Sequence, residues 1–134
     1  MEFKIIEALN IDQIKQLTEM FQLEWWTKGR KFEEVQCMID HSDVIVAFVK
    51  DKELIAFARV LTDFVYKAFI FDVMVKPSYR DADLGKKLMY LMINHSKLVN
   101  VQHFELYCRP EMKPFYEKWG FTNDLGELCF MRRG

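Results

Sequence analysis

The stretch from Phe69 to Met92 constrains this chain more than any other. It reads Phe-Ile-Phe-Asp-Val-Met-Val over 69–75, then Lys-Pro-Ser-Tyr-Arg-Asp-Ala-Asp-Leu-Gly over 76–85, then Lys-Lys-Leu-Met-Tyr-Leu-Met over 86–92. The apolar, β-branched run predicts a strand over 68–75. Pro77, which has no N–H for a ladder, ends it. A polar turn follows, and Leu84, Leu88, Leu91 and Met92 then recur at helical spacing. Strand, tight loop and helix aim backbone N–H groups and the positive end of a helix dipole at one point, which suits a phosphate group.

On either side of this stretch the pattern alternates between helix and strand. Phe3 to Leu9 predicts a first strand. Asn10 precedes Ile11-Asp12-Gln13 with capping-box spacing, and Ile11, Ile14, Leu17, Phe21 and Trp25 fall on one helical face, so a helix is expected from Ile11 to about Trp25. Phe32, Val35, Met38 and Ile39 suggest a second, shorter helix ending near His41. Val44 to Val49 and Leu54 to Leu61, joined by a polar turn, read as a hairpin. Beyond the helix over 86–96, Phe104 to Cys108 is another strand. Pro110 to Trp119 is a helix stopped at Gly120, and Phe121 with Leu128 to Met131 supplies a last strand or hairpin. This order predicts one domain over 1–134, an α/β (α+β) fold whose mixed, mostly antiparallel central sheet is flanked by helices on both faces.

Composition narrows the function. Across 134 residues, 19 basic and 20 acidic side chains leave a net charge of −1, which gives no electrostatic support for nucleic-acid or membrane-surface binding. No apolar run reaches membrane-spanning length and Met1-Glu2-Phe3-Lys4 opens no signal peptide, so a soluble protein is expected. Three scattered cysteines (Cys37, Cys108, Cys129) fit a reducing, cytoplasmic compartment. His41, His95 and His103 lack the spacing of a metal site, so no metal is expected. Gly85-Lys86-Lys87 lacks the hydroxyl of a nucleotide-triphosphate loop. Cys108 and His103 have no third group to orient them as a nucleophilic pair, and the methionines lie on core faces.

Three segments carry a family resemblance: Val73-Met74-Val75-Lys76-Pro77-Ser78-Tyr79-Arg80, Leu84-Gly85-Lys86-Lys87-Leu88-Met89 and Pro114-Phe115-Tyr116-Glu117-Lys118-Trp119-Gly120-Phe121. In this order they resemble the GNAT superfamily of acyl-CoA N-acetyltransferases over essentially the whole chain. The resemblance implies acetyl-CoA as co-substrate and direct attack by a primary amine, expected to belong to a small molecule or else to a peptide N-terminus admitted by the loop Trp26 to Arg30, with both substrates bound together. Val73, Met74 and Val75 would pair with pantetheine. Arg80, Asp81, Ala82, Asp83, Leu84, Gly85 and Lys86 would hold the pyrophosphate, and Tyr116 would protonate the leaving thiolate; the alternative for Tyr116 is packing near Trp119. The family's asparagine some seven residues before that tyrosine is replaced by Arg109, so its role is not carried over.

The general base has three candidates. Asp72, inside an apolar strand, is first, although a hydrogen-bonded structural Asp would explain it equally. Glu105, mid-strand, and Asp63, after a strand end, follow. The resemblance places the acceptor between the first two helices, their loop and the splayed end of the sheet, with Trp26, Phe64, Tyr66 and Tyr107 as its wall. Trp25 would be core instead, since it lies on the apolar stripe. Where the family's loop has its first glycine, this chain has Asp83. Either Asp83 adopts left-handed backbone in the glycine's place, or its carboxylate caps the helix and occupies the phosphate's donors. The second case favours an alternative function: a catalytically lapsed module of the same fold, kept for binding or dimerisation. Leu125, Leu128, Phe130 and Met131, exposed on the last strands, make a homodimer an expectation.

Overall fold

The computed structural model describes residues 1–134. Five strands form one sheet in sequential order: β1 (Lys4–Ile6), β2 (Val44–Lys50), β3 (Glu53–Thr62), β4 (Lys67–Val75) and β5 (His103–Glu105). The first four are antiparallel neighbours and β5 runs parallel to β4. Helices α1 (Ile11–Phe21) and α2 (Phe32–Asp40) cover one face. Helix α3 (Leu84–Ile93) and the short α4 (Lys113–Glu117) cover the other. This is the mixed, helix-flanked sheet expected from the sequence.

Covering both faces explains why Val44 to Val49 is buried without alternation. Ile45, Ala47 and Val49 pack with Leu17, Phe21 and Phe57 beneath α1 and α2. Val44, Val46 and Phe48 pack with Leu88, Met89 and Met92 of α3.

Helix α1 starts as read from the sequence. Asn10 Oδ1 accepts from Gln13 N at 2.8 Å, and Asn10 N donates to Gln13 Oε1 at 2.9 Å. Its end differs: the helix stops at Phe21 and not near Trp25. Thr27 folds back as the one buried polar residue, and its hydroxyl donates to Phe21 O at 2.8 Å. Gln22 then ties the following loop, donating to Arg30 O at 2.8 Å and accepting from Gly29 N at 2.9 Å. These bonds replace further helical turns, and Trp25, expected in the core, is 69% exposed.

Two irregularities in β4 create the site. Phe57 pairs with Met74 while Arg59 pairs with Phe71, so Ala58 alone faces two residues, Asp72 and Val73. This is a β-bulge, and Asp72 carries it with φ 54. On the other edge, β4 and β5 pair only from Lys67↔His103 to Phe69↔Glu105. Past Phe69 the two strands part and leave an open wedge.

The C-terminal expectation needs correction. Strand β5 ends at Glu105, α4 is a single turn and a half behind a 3-10 turn over Pro110–Met112, and no strand forms over 121–131. Ring contacts hold that last segment instead, with Phe130 5.3 Å from Tyr107 between centroids. Leu125, Leu128, Phe130 and Met131 are exposed as expected, but on irregular chain.

The capping box supplies a direct test of the helix reading. Asn10→Ala should cost about 1 kcal/mol and lower the melting temperature by roughly 3–5 °C, read by thermal denaturation.

Candidate active site

The wedge between β4 and β5 exposes backbone that a regular sheet would pair. Lys76 N donates to Ile55 O of β3 at 2.9 Å. Strand alternation then turns the amides of Val75 and Val73 away from β3 and into the wedge. Their side chains pack on the α3 side and that of Met74 is buried on the other.

Beyond Val75 the chain makes a 3-10 turn over Pro77–Ala82 and enters α3 at Leu84. Glu53 of β3 anchors the turn, accepting from Lys76 Nζ at 2.8 Å and from the Tyr79 hydroxyl at 2.9 Å. The Lys76 bond, and then the Tyr79 bond, lower the Glu53 carboxyl below its usual range; the same Glu53 bond raises the Tyr79 phenol. Arg80 closes the turn, donating from Nε to Val75 O at 3.2 Å and from Nη2 to Glu24 Oε1 at 2.7 Å.

Asp83 takes the left-handed backbone, with φ 58 and ψ 25. Its carboxylate is 80% exposed and 3.8 Å from Lys86 Nζ. It makes no bond to the first turn of α3. The glycine-like conformation is therefore the one adopted, and the amides of Leu84, Gly85 and Lys86 are left open. Uncapped amides, the dipole end and Lys86 form a donor set that fits a diphosphate. Asp81 and Ala82 lie in the turn, and the Asp81 carboxylate accepts no hydrogen bond from it.

Tyr116 lies across from this helix start. The ring of Phe115 rests over Gly85, where an added Cβ would sit 3.5 Å from Phe115 Cζ. That contact fixes α4 against α3. Phe115 and Phe121 flank the Tyr116 ring at 5.0 and 6.1 Å. Burial, and secondarily the nearby Cys108, push the Tyr116 phenol up to about 12, so it stays protonated well above ordinary pH. Burial likewise pushes the Cys108 thiol up.

The three carboxylates nominated as base are all engaged. Asp72, only 6% exposed, accepts on Oδ2 from Arg59 Nε at 2.8 Å and from Arg30 Nη1 at 3.0 Å. This is the hydrogen-bonded structural Asp weighed against the catalytic one. Asp63 Oδ1 accepts from the amides of Val65, Tyr66 and Lys67, bonds that hold its carboxyl below the usual range and build the turn between β3 and β4. Glu105 pairs with Lys67 Nζ through Oε1 at 2.7 Å.

The expected acceptor wall is brought together only in part. Tyr107 joins Phe69 and Phe71, which stack at 4.7 Å on the α1–α2 side of β4. Trp26 lies in the loop after α1, edge-to-face with Trp25 at 6.2 Å. Phe64 and Tyr66 sit exposed on the β3–β4 turn, which leads into the opposite end of β4 from the one where Val75 enters the phosphate turn. Sequence reading missed Arg30, Arg59 and Glu24, which position Asp72 and Arg80. A signal existed for one of them: Arg59 and Asp72 are opposite charges inside two adjacent apolar strands.

A central sheet split beside a bulge, with an open helix N-terminus behind it and a partly buried phenol opposite, sets two open groups of backbone donors along one path. The model of the acetyltransferase (GNAT) family matches residues 11–121, and the chain belongs to that family. It is 32% identical to GCN5-related N-acetyltransferase 1, chloroplastic, of Arabidopsis thaliana over 95% of this chain and 65% of that protein. It is 28% identical to the uncharacterized N-acetyltransferase ycf52 of Porphyra purpurea over 87% of this chain and 67% of that protein. The chain thus spans about two thirds of the length of these relatives. A GNAT-family protein from Xanthomonas campestris pv. campestris superposes with TM-score 0.85 and 28% identity, covering 100% of this chain and 94% of that one.

Two measurements check the site's physics. Tyr116 titrates higher in the folded chain than at its ordinary value of 10.0. Its burial therefore stabilises fully below pH 10 and is lost as pH rises toward 12, a loss of at most about 3 kcal/mol. Denaturant unfolding at stepped pH should show a steeper fall over this window in the wild type than in Tyr116→Phe. Asp72→Asn keeps a residue that tolerates left-handed backbone but strips both arginines of their countercharge. It should destabilise by about 3 kcal/mol, the low end for a broken buried pair, because Arg30 is 32% exposed; urea denaturation reads it.

Proposed function

We propose that the protein transfers the acetyl group of acetyl-CoA to a primary amine, expected to be that of a small molecule, with both substrates bound at once. The observation that carries this reading is the pair of open donor sets on one path: the wedge-side amides of Val73 and Val75, and the uncapped first turn of α3. Acetyl-CoA supplies an activated acyl group as a thioester. Leu84, Gly85 and Lys86 hold its diphosphate, with Arg80 keeping the preceding turn in place. An amide at the bulge, fixed before substrate arrives, donates to charge that develops on the acyl oxygen only in the transition state.

Tyr116 gives its proton to the departing thiolate. A phenol is neutral at ordinary pH and donates without first having to be protonated; burial makes this one a weaker acid than a free phenol. Of the three carboxylates, Glu105 is the base that the geometry favours. It is in register with Phe69, on the face that carries the aromatic wall, and one of its oxygens is outside the Lys67 pair. Asp72 acts as a positioning residue for the bulge.

Asp83 is the residue on which the lapsed-module reading turns, and its outward carboxylate favours the enzyme. Its charge still weakens diphosphate binding through partly screened repulsion. Thermal-shift titration tests both points. Acetyl-CoA at a hundredfold excess over Kd should add about 2.7 kcal/mol of stability, and Asp83→Gly should tighten binding by up to about tenfold. No shift in either protein would leave the binding-module reading in its place. Tyr116→Phe should lower kcat by roughly a hundredfold while the acetyl-CoA affinity from the same titration holds.

A further inference from the structure

We propose that the acceptor amine also carries an oxyanion, a carboxylate or a phosphate, and that Arg132 is the residue that selects it. This rests on the acetyl-transfer reading and narrows its acceptor.

The face of β4 that bears Phe69 and Phe71 continues through Tyr107 to Phe130, with ring centroids 5.9 and 6.1 Å apart at the first step and 5.3 Å at the second. A guanidinium lies over each end of this run. Arg59 stacks on Phe71 at 4.8 Å and Arg132 on Tyr107 at 5.2 Å, with Phe130 at 5.8 Å. Arg59 shares Asp72 with Arg30, so that group of three keeps one positive charge. Lys67 and Glu105 cancel, as do Arg109 and Glu111. Arg132 is held by rings and by no carboxylate, which adds a second uncompensated positive charge.

A simple cationic amine would meet net repulsion on this face, since guanidinium groups already lie over the Phe71, Tyr107 and Phe130 rings. An amine that also bears an oxyanion is attracted. A stacked guanidinium has its plane fixed by the ring and its N–H edge turned outward, which suits two parallel bonds to a carboxylate or phosphate. Arg132 lies two rings along from the bulge, by way of Tyr107 and Phe71. The oxyanion would dock there while the amine reaches back toward the wedge.

Matched acceptors that differ only in the acid test this: tryptophan against tryptamine for a carboxylate, and O-phosphoethanolamine against ethanolamine for a phosphate. Thiol release from acetyl-CoA gives kcat/KM for each. At least one acid-bearing member should be preferred about tenfold in the wild type, the worth of one charge-assisted bond pair. Which pair shows the preference identifies the oxyanion. Arg132→Gln should bring that ratio toward one, and Arg132→Lys should keep part of it, because the charge remains and the fork is lost. The preference should also shrink as salt is raised.

A wild-type ratio of one or below in both pairs overturns the proposal. So does an Arg132→Gln variant that slows both members of a pair equally, which marks a packing role. If acetyl-CoA binds and the acid-free amines are the better acceptors, this inference alone falls. If acetyl-CoA neither binds nor is cleaved, the acetyl-transfer reading falls first. Calorimetric affinities for the same four amines then decide the Arg132 claim by the same ratio.

Discussion

Asp72 Oδ2 accepts from two guanidinium groups at 2.8 and 3.0 Å, and the departure of β4 from regular pairing depends on that single oxygen. A non-glycine residue at φ 54 in a strand stores strain, on the order of 1–3 kcal/mol. Asp tolerates this backbone better than most residues, but a strand interior does not favour it. The compensation comes from charge: a carboxylate this deeply buried is tolerated only when paired, and both arginines are themselves stacked on rings, Arg30 on Phe21 at 4.6 Å and Arg59 on Phe71 at 4.8 Å. The bulge is therefore held by the packing of α1 and β4 as much as by electrostatics. Loosening either ring would let the ion pairs drift and the strand relax toward regular register.

The wedge opens beside the bulge, on the other edge of β4. A β4 that paired along its whole length with β5 would use its amides in the sheet and leave none for a ligand. Pairing stops after Phe69↔Glu105, and the freed stretch runs straight to the open turn of α3. The two donor sets are rigid for different reasons. The strand amides are fixed by the β3 ladder on their other side, while the helix amides are fixed by Glu53 and Phe115, which pin the turn before α3 and the start of the helix itself. Preorganised donors need no reorientation when charge appears, and this is where most of their catalytic worth lies.

How much of this was legible depended on distance along the chain. The capping box at Asn10 and Gln13, the hairpin over 44–61 and the strand–turn–helix over 68–93 are local patterns, and the sequence displays them. The end of α1 was not legible, because the apolar stripe runs on to Trp25 while a buried Thr27 and the side chain of Gln22 stop the helix at Phe21. Asp72 stood out as an anomaly, yet its partners lie 13 and 42 residues away, and no period relates them. The last strand was misread for a similar reason. Leu128 to Met131 has strand composition, but its neighbours in space are rings and not an unpaired backbone edge. At Asp83 the sequence is compatible with both outcomes, since left-handed backbone and a capping carboxylate suit the same residue.

The loop between α1 and α2 is tied to β4 at both of its ends. Arg30 reaches Asp72 at the bulge, and Glu24 reaches Arg80, which in turn holds Val75 O at the end of the strand. The loop is thus registered against β4 and the turn that follows it by two charged bonds. The proposed direct transfer would depend on such registration, because reacting atoms must be held within about 3–3.5 Å of each other. The two ties differ in strength. The Asp72 tie is the more buried of the two and the less sensitive to salt, whereas Arg80 and Glu24 meet nearer solvent and are screened more. The loop should therefore open at its Glu24 end first, beside the turn that leads into α3. That end is where a nucleotide tail would have to enter.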